Sequence, residues 1–204
     1  MLDSIRNYYD EKLSTFGPTP SGVDWNGRES QLKRFEALCS ILPRATSSPF
    51  SIDDYGCGYG ALAQHLDGRG FTHVDYLGID VSSAMVAEAV KENPDRRFVV
   101  GRESPRVADY AVASGIFNVA LDADRIAWQE HVLQTLNLIN AATAKGFAFN
   151  CLTSYSDKDK MRPHLYYGDP CFFWQHCMQN YSKQVSLLHD YGLYEFTILV
   201  RKIP

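Results

Sequence analysis

Three glycines at alternate positions are the feature of this sequence that most clearly indicates ligand chemistry. Residues 53–60 read D-D-Y-G-C-G-Y-G and follow the strand-like approach F-S-I. Glycine has no Cβ, so the backbone at Gly56, Gly58 and Gly60 can lie close to a ligand. The next residues, A-L-A-Q-H-L, predict a helix whose first N–H groups are free to bind that ligand.

Two carboxylates have spacings that complement this glycine loop. Asp80 ends the segment V-D-Y-L-G-I-D, twenty residues after Gly60. A carboxylate at the end of the second strand can accept hydrogen bonds from both hydroxyls of a ribose. Asp54 stands two residues before Gly56, where it suits a positively charged ligand better than a pyrophosphate. The loop and the two acids together predict a cofactor that contains a nucleoside.

The glycine pattern alone is compatible with more than one class of protein. G-C-G-Y-G-A satisfies the dinucleotide pattern G-x-G-x-x-A, so an NAD(P)-dependent oxidoreductase is one interpretation. A non-catalytic nucleoside-binding module is another. Asp54 and the arrangement of the last strands both favour a cationic ligand over a dinucleotide.

The elements that must position these residues alternate between strand and helix. From residue 50 onward, apolar runs separated by helical patterns predict a parallel sheet with helices on both faces. We expect a single α/β domain over 1–204: a doubly wound, mostly parallel, seven-stranded sheet (50–204) preceded by an N-terminal helical cap (1–49). The first five predicted strands are F-S-I-D-D-Y, V-D-Y-L-G-I-D, R-F-V-V-G, Y-A-V-A-S-G and G-F-A-F-N-C-L-T, and the core helices cover 61–66, 82–91, 124–144 and 170–181.

The cap contains two predicted helices and a polar break. One helix covers 3–14, and the second begins near Asn26, which has a capping-box spacing to Glu29. The segment from Pro43 to Pro49 separates the cap from the core. The apolar face of the second helix is predicted to contain Leu32, Phe35, Leu38 and Leu42.

The last two predicted strands distinguish this fold from a dinucleotide fold. K-Q-V-S-L-L-H-D-Y and Y-E-F-T-I-L-V-R-K are separated by little more than Gly192. Such a short connection cannot cross over to a parallel strand, so the two must form an antiparallel hairpin. The edge of the sheet at which the hairpin turn lies stays open.

Taken together, these motifs resemble those of the class I S-adenosylmethionine-dependent methyltransferases. The resemblance rests on D-Y-G-C-G-Y-G, L-G-I-D-V-S, D-Y-A-V-A-S-G-I-F and the terminal hairpin. It implies S-adenosylmethionine as cofactor, with S-adenosylhomocysteine as product. It also implies a set of residues that bind the cofactor: Asp54, Gly56, Cys57, Gly58, Gly60, Asp80, Val81, Met85, Glu103, Ser114, Gly115 and Phe117.

The cap and the loops beyond the strands are expected to complete the site. Aromatic residues near the N-terminus suggest that the cap folds over the cofactor through Trp25 and faces the acceptor through Tyr9. Methyl transfer is an in-line displacement, so a general base is needed only when the nucleophile must lose a proton. His164 is the candidate base, and the predicted acceptor contacts are Tyr9, Asn150, His164, Tyr166 and Tyr167.

Composition limits the class of methyl acceptor and the cellular compartment that we expect. The net charge is −4 and the pI is near 5.8. The family's methyltransferases of nucleic-acid bases carry an Asn-Pro-Pro-Tyr-like tetrad after the fourth strand, where this sequence reads S-G-I-F. Both observations favour a small-molecule acceptor over nucleic acid. Five cysteines without a C-x-x-C spacing predict reduced thiols, no metal site and a cytoplasmic protein. No apolar run has the length of a membrane span. A monomer and a homodimer both remain open.

Overall fold

The computed structural model describes residues 2–44, 49–71 and 73–202. Residues 45–48 of the predicted polar break lie outside the described residues. The chain forms a seven-stranded sheet in the order β3-β2-β1-β4-β5-β7-β6. The strands are β1 Phe50–Tyr55, β2 Val74–Asp80, β3 Arg97–Val100, β4 Ala108–Ala113, β5 Thr143–Leu152, β6 Gln184–Leu188 and β7 Glu195–Arg201.

Strands β1 to β5 pair in parallel, and β7 runs antiparallel to both of its neighbours. The prediction of an α/β fold that ends in an antiparallel hairpin is therefore confirmed. Residues 189–194 connect β6 to β7, a longer turn than the sequence indicated. Leu152 at the end of β5 pairs with Glu195 at the start of β7. The hairpin turn therefore lies at the carboxyl edge of the parallel strands, which answers the question that the sequence left open.

Helices cover both faces of this sheet. A core cluster with Trp128, Phe147 and Phe173 lies on one face, and a second with Leu38 and Leu62 lies on the other. The helices are α1 Leu2–Phe16, α2 Arg28–Cys39, α3 Ala61–Gly68, α4 Ser83–Glu92, α5 Arg125–Ala141 and α6 Pro170–Asn180, with a short 3-10 helix at Pro20–Val23 between α1 and α2.

The predicted cap divides into two parts with different positions. Helix α1 contacts the 3-10 helix and α4, whereas α2 packs on the sheet against β4, β5 and β7. The capping-box prediction at Asn26 was wrong. Gly27, with φ 138°, is the N-cap residue and makes no side-chain cap bond.

The buried face of α2 also differs from the predicted one. Leu32 is 38% exposed, while Gln31 and Arg34 are each 5% exposed. Residues spaced three apart drift around a helix of 3.6 residues per turn, so Leu32 falls outside the face that contains Leu38. The helix thus buries two polar side chains in a position where hydrophobic periodicity predicts apolar ones.

The connection from β3 to β4 crosses the sheet over residues 101–107 without forming a helix. Asp53, which is fully buried, holds this segment in place. Its carboxylate accepts hydrogen bonds from Ser104 Oγ at 2.6 Å and from Arg106 Nε at 2.8 Å. The second half of the segment is therefore fixed beside the middle of β1.

Candidate functional site

A cavity of about 490 Å³ lies at the carboxyl edge of the parallel strands. This volume is within the range of sites for small molecules and cofactors. The loops after β1, β2, β3 and β4 form one side of the cavity, and α1, the residues before α2 and part of α5 form the rest. Twelve of the predicted site residues line it: Tyr9, Trp25, Asp54, Gly56, Cys57, Gly58, Asp80, Val81, Met85, Glu103, Ser114 and Gly115.

The glycine loop is held against the neighbouring strand by its backbone. The N–H groups of Gly56 and Cys57 donate to the carbonyl oxygen of Ile79 at 2.7 and 3.1 Å. Gly56 has φ +71°, and a Cβ there would lie 2.1 Å from Ile116 Cγ2. The missing side chain therefore admits Ile116 as well as giving the backbone access to the cavity.

Asp54 is a carboxylate in an environment that disfavours its charge. It is 2% exposed and accepts a hydrogen bond from Tyr76 Oη at 2.7 Å. Burial is the largest cause that raises the pKa of Asp54 to about 7; the Tyr76 hydrogen bond opposes the shift, and the charges of Asp80 and Asp53 contribute to it. A cation bound beside Asp54 would restore its ionised form.

Asp80 is oriented by the backbone on both sides. Its two carboxylate oxygens accept from Gly58 N and from Ser82 N, each at 2.9 Å. Burial raises the pKa of Asp80, while these backbone donors oppose the shift. Ser82 accepts from Met85 N at 3.0 Å and donates to Asp10 of α1, so the loop that carries Asp80 is joined to the first helix.

The residues before α2 close the cavity from above. The side chain of Trp25 packs on Gly115, where φ is +75° and a Cβ would lie 2.2 Å from Trp25 Cη2. Asp24 links this segment to α1, because its carboxylate accepts from Tyr8 Oη at 2.8 Å and from Lys12 Nζ at 2.7 Å. Burial raises the pKa of Tyr9 far above its ordinary value, so the Tyr9 hydroxyl stays protonated in the cavity wall.

Sequence patterns missed a polar network beneath Trp25. The Arg34 guanidinium stacks 3.9 Å from the Trp25 ring centroid and forms a buried ion pair with Glu195 of β7. Glu195 in turn accepts from Asn150 Nδ2 at 2.7 Å, and Asn150 Oδ1 accepts from Gly115 N at 2.7 Å. The signal available in the sequence was a charged residue on the buried side of α2 and another within the apolar run of β7.

The wall contributed by α5 was also missed. His131, Thr135 and Leu138 line the cavity opposite Arg102 and the glycine loop. Desolvation lowers the pKa of His131, and the charge of Arg102 adds to the shift, so its imidazole is neutral near pH 7.

Two buried hydroxyls in the cavity wall fit a polar ligand. Ser114 Oγ and Tyr55 Oη have no hydrogen-bond partner among the described residues, although both side chains line the cavity. Buried polar atoms are nearly always hydrogen-bonded, so these two oxygens indicate positions where a ligand would supply the partner. With the carboxylates of Asp54 and Asp80, they form a donor and acceptor set suited to a cationic nucleoside derivative.

Six predicted site residues lie outside the cavity lining: Gly60, Phe117, Asn150, His164, Tyr166 and Tyr167. Phe117 and Asn150 are fully buried, beneath the lining residues. The ring of His164 lies 6.5 Å from that of Tyr8, and its backbone oxygen accepts from Ala120 N and Leu121 N. The role of His164 as a base stays a prediction.

The two loop tyrosines have partners within the protein. Tyr166 Oη donates to Gln129 at 3.3 Å, and Tyr167 Oη accepts from Arg162 N at 2.9 Å. Their hydroxyls therefore stabilise the loop that contains them. Gly60 lies at the start of α3, where a Cβ would meet Asn93 Nδ2 at 2.5 Å. Its predicted role in cofactor binding stays untested.

Neither a metal cluster nor a membrane-spanning helix is found in the described ranges. Across 2–44, 49–71 and 73–202, no three His, Cys, Asp or Glu side chains gather closely enough to hold an ion. The helices within those ranges are too short or too polar to cross a bilayer.

Comparison with known proteins gives consistent matches. Residues 30–198 match the family described as a methyltransferase domain. A Mycobacterium tuberculosis protein named "Putative methyltransferase Rv1506c" is 56% identical over 161 residues, covering 76% of this chain and 95% of that protein.

Solved structures share the fold at low sequence identity. The plantazolicin methyltransferase BpumL, in complex with S-adenosylhomocysteine and a pentazolic desmethylPZN analog, has a TM-score of 0.62 at 12% identity and covers 98% of each chain. The S-adenosylmethionine-dependent methyltransferase SibL in its apo form has a TM-score of 0.62 at 12% identity, over 85% of this chain and 55% of that one. Mycolic acid cyclopropane synthase CmaA1, complexed with S-adenosylhomocysteine and CTAB, has a TM-score of 0.57 at 13% identity, over 78% of this chain and 64% of that one.

Proposed function

Because this chain belongs to the family of methyltransferase domains, we propose that it transfers a methyl group from S-adenosylmethionine to a small-molecule acceptor. The family predicted from the sequence is confirmed, and it takes precedence over the oxidoreductase interpretation. One observation carries the proposal: the glycine loop, Asp54 and Asp80 meet in a single cavity. When bound, the cofactor would supply a methyl group on a sulfonium: the nucleophile bonds to the methyl carbon as the C–S bond breaks, and the sulfur keeps the bonding electron pair and leaves as the thioether of S-adenosylhomocysteine.

The protein's part in this reaction is to bind, orient and exclude water. In the proposal, Asp80 accepts from the ribose hydroxyls, since its own orientation is already fixed by Gly58 N and Ser82 N. Asp54 faces the positive charge of the cofactor, with Tyr76 Oη holding the carboxylate in place. Electrostatic pairing of this kind is strengthened by burial, because the site has little water to screen it.

The acceptor end of the cavity is assigned to Tyr9 and Trp25. The raised pKa of Tyr9 makes its hydroxyl a hydrogen-bond donor rather than a base. Positioning of the nucleophile against the methyl group is therefore the main contribution we expect from this wall. Closure by α1 and Trp25 supports an acceptor small enough to lie inside the cavity, and BpumL, which has the same fold, is named for its action on plantazolicin.

The reaction is assigned to the cytoplasm in this proposal. All five cysteines are free thiols, and four of them are buried. Free thiols persist in reducing compartments, where disulfides are rare.

Calorimetry and methyl-transfer assays test the proposed function. We expect purified protein to bind S-adenosylmethionine and S-adenosylhomocysteine in titration calorimetry, with no heat of binding from NADPH as the matched control. Incubation with a panel of small acceptors and a cofactor carrying a tritiated methyl group should label at least one acceptor. Binding of NADPH alone would overturn the proposal, and cofactor binding without labelling of any acceptor would favour a non-catalytic nucleoside-binding module.

A further inference from the structure

A chain of buried polar groups runs from α2 to Gly115 in the wall of the cavity. Arg34 Nε donates to both carboxylate oxygens of Glu195 at 2.8 Å, and Asn150 bridges Glu195 and Gly115 with two hydrogen bonds of 2.7 Å. The three side chains are 5%, 1% and 0% exposed. Their partners come from α2, β5, β7 and the loop after β4, so the chain connects four separate parts of the fold.

The chemistry of these groups allows the Asn150 amide one orientation. A carboxylate without a proton can only accept, and a backbone N–H can only donate. The Asn150 nitrogen must therefore face Glu195, and its oxygen must face Gly115. Arg34 donates to Glu195 through Nε and Nη2, and a guanidinium can only donate, so Glu195 is the acceptor and the direction of the whole chain is set from α2.

Fixing the Gly115 N–H also fixes the carbonyl group of the same peptide bond. The N–H and C=O of a trans peptide point in opposite directions, so the Ser114 carbonyl oxygen is turned away from Asn150. Ser114 and Gly115 both line the cavity, and Asn150 lies beneath it. Trp25 packs on Gly115 from above, so this peptide is held from both sides.

Stability does not account for such a network. Buried ion pairs contribute little net stability compared with well-packed apolar side chains of similar volume, because both ions lose their hydration. A network of directional hydrogen bonds instead specifies one geometry. The geometry specified here is that of the Ser114–Gly115 peptide, which is the part of the network that reaches the cavity.

We infer that Asn150, oriented by Glu195 and Arg34, is a positioning residue that turns the Ser114 carbonyl oxygen toward the amino-acid end of the cofactor. This inference rests on the proposed function, since it concerns the same cavity. The carbonyl accepts a hydrogen bond from the cofactor's ammonium group, on the side of the site where Asp54 supplies negative charge. The nucleoside end, bound by Asp80 and Val81, does not depend on this peptide.

Two ligands distinguish a loss of cofactor positioning from a general loss of folding or binding. S-adenosylhomocysteine carries the amino-acid group, whereas 5′-deoxy-5′-methylthioadenosine has the same nucleoside and thioether without it. For Asn150→Leu, calorimetry should show S-adenosylhomocysteine affinity falling about tenfold and methylthioadenosine affinity changing less than about twofold. Asn150→Ala removes both hydrogen bonds without adding a larger apolar side chain, and it should produce the same selective loss if the leucine variant does not fold.

Asn118 provides the matched control. It is also a buried asparagine whose oxygen accepts a backbone N–H, that of Leu152 at 3.0 Å, but it does not line the cavity. Asn118→Leu should lower thermal stability and leave the ratio of the two affinities unchanged. Equal weakening of both ligands by the position 150 variants, or no weakening, would overturn the inference. If the wild-type protein binds neither ligand, the proposed function itself fails.

Discussion

The floor and the roof of the cavity are built in different ways. The floor consists of the ends of β1 and β2, where Asp54, the glycine loop and Asp80 follow one another within thirty residues. The roof brings Trp25 together with Arg34, Asn150 and Glu195. Arg34 and Glu195, which are in direct contact, are 161 residues apart in the sequence. The floor is a local motif, whereas the roof exists only after the sheet has assembled.

This difference predicts different consequences of mutation. Residues of the floor face the ligand, so changing them should weaken cofactor binding whether they stabilise or destabilise the fold. Residues of the roof satisfy one another, so breaking one contact should mainly affect stability and the precision of the site.

The largest expected effect comes from breaking the ion pair in the roof. Glu195→Leu leaves the Arg34 guanidinium buried without its counter-ion, which should lower the free energy of unfolding by about 3–5 kcal/mol. Chemical denaturation measures this change. The double variant Arg34→Met with Glu195→Leu should recover most of the loss, and a double variant as unstable as the single one would show that the pair is needed for stability itself.

The next largest effect is expected at Asp80 in the floor. Asp80→Asn places an amide nitrogen against Gly58 N or Ser82 N, both of which are donors. We expect S-adenosylhomocysteine affinity to fall by roughly 30- to 100-fold, about 2–3 kcal/mol, with a smaller loss of stability of about 1 kcal/mol because one backbone N–H loses its acceptor. Asp67→Asn, at an exposed carboxylate paired with Arg96, is the control, and an equal loss of affinity there would contradict the assignment.

Asp54 should show opposite effects on stability and binding. Its pKa is raised to about 7, so the folded protein holds a proton that the unfolded chain releases near pH 4. The unfolding free energy contributed by this group therefore falls as pH rises from about 4 to 7. At pH 8, Asp54→Asn should be more stable than the wild type by on the order of 3 kcal/mol, as measured by denaturation.

The same substitution should weaken binding of the cationic cofactor at pH 8. Wild-type affinity for S-adenosylmethionine should decrease as pH falls through 7, because Asp54 becomes neutral, whereas the asparagine variant should lack this dependence. If calorimetry showed that the affinities of the two proteins change with pH in the same way, Asp54 would not contribute to cofactor binding.

The smallest effect is expected at a residue outside the floor and the roof. His164 does not line the cavity, so His164→Gln should change kcat by less than about threefold, well below the 10²-fold or greater contribution of a general base. A larger loss, with a pH profile that loses its acidic limb, would restore His164 as the base.

The sequence predicted those parts of the fold that depend on local patterns. Alternating strands and helices, the hairpin and the end of β2 at Asp80 follow from periodicity and connection length. Helix α2 was less predictable, because its buried Gln31 and Arg34 have partners elsewhere in the fold. The turn between β6 and β7 was expected to be shorter, since the strand pattern of H-D-Y continues past the last paired residue, Leu188.

By itself, the sequence determined the α/β fold and twelve of the residues that line the cavity. Most of these twelve follow directly from the ends of strands, so their positions depend on local patterns. Only the tertiary structure decided what covers them. Trp25 lies on Gly115, α5 lines one side of the cavity, and Asn150 of β5 accepts a hydrogen bond from Gly115 N after β4. These contacts join segments far apart in the chain, and their geometry depends on packing that no local pattern encodes.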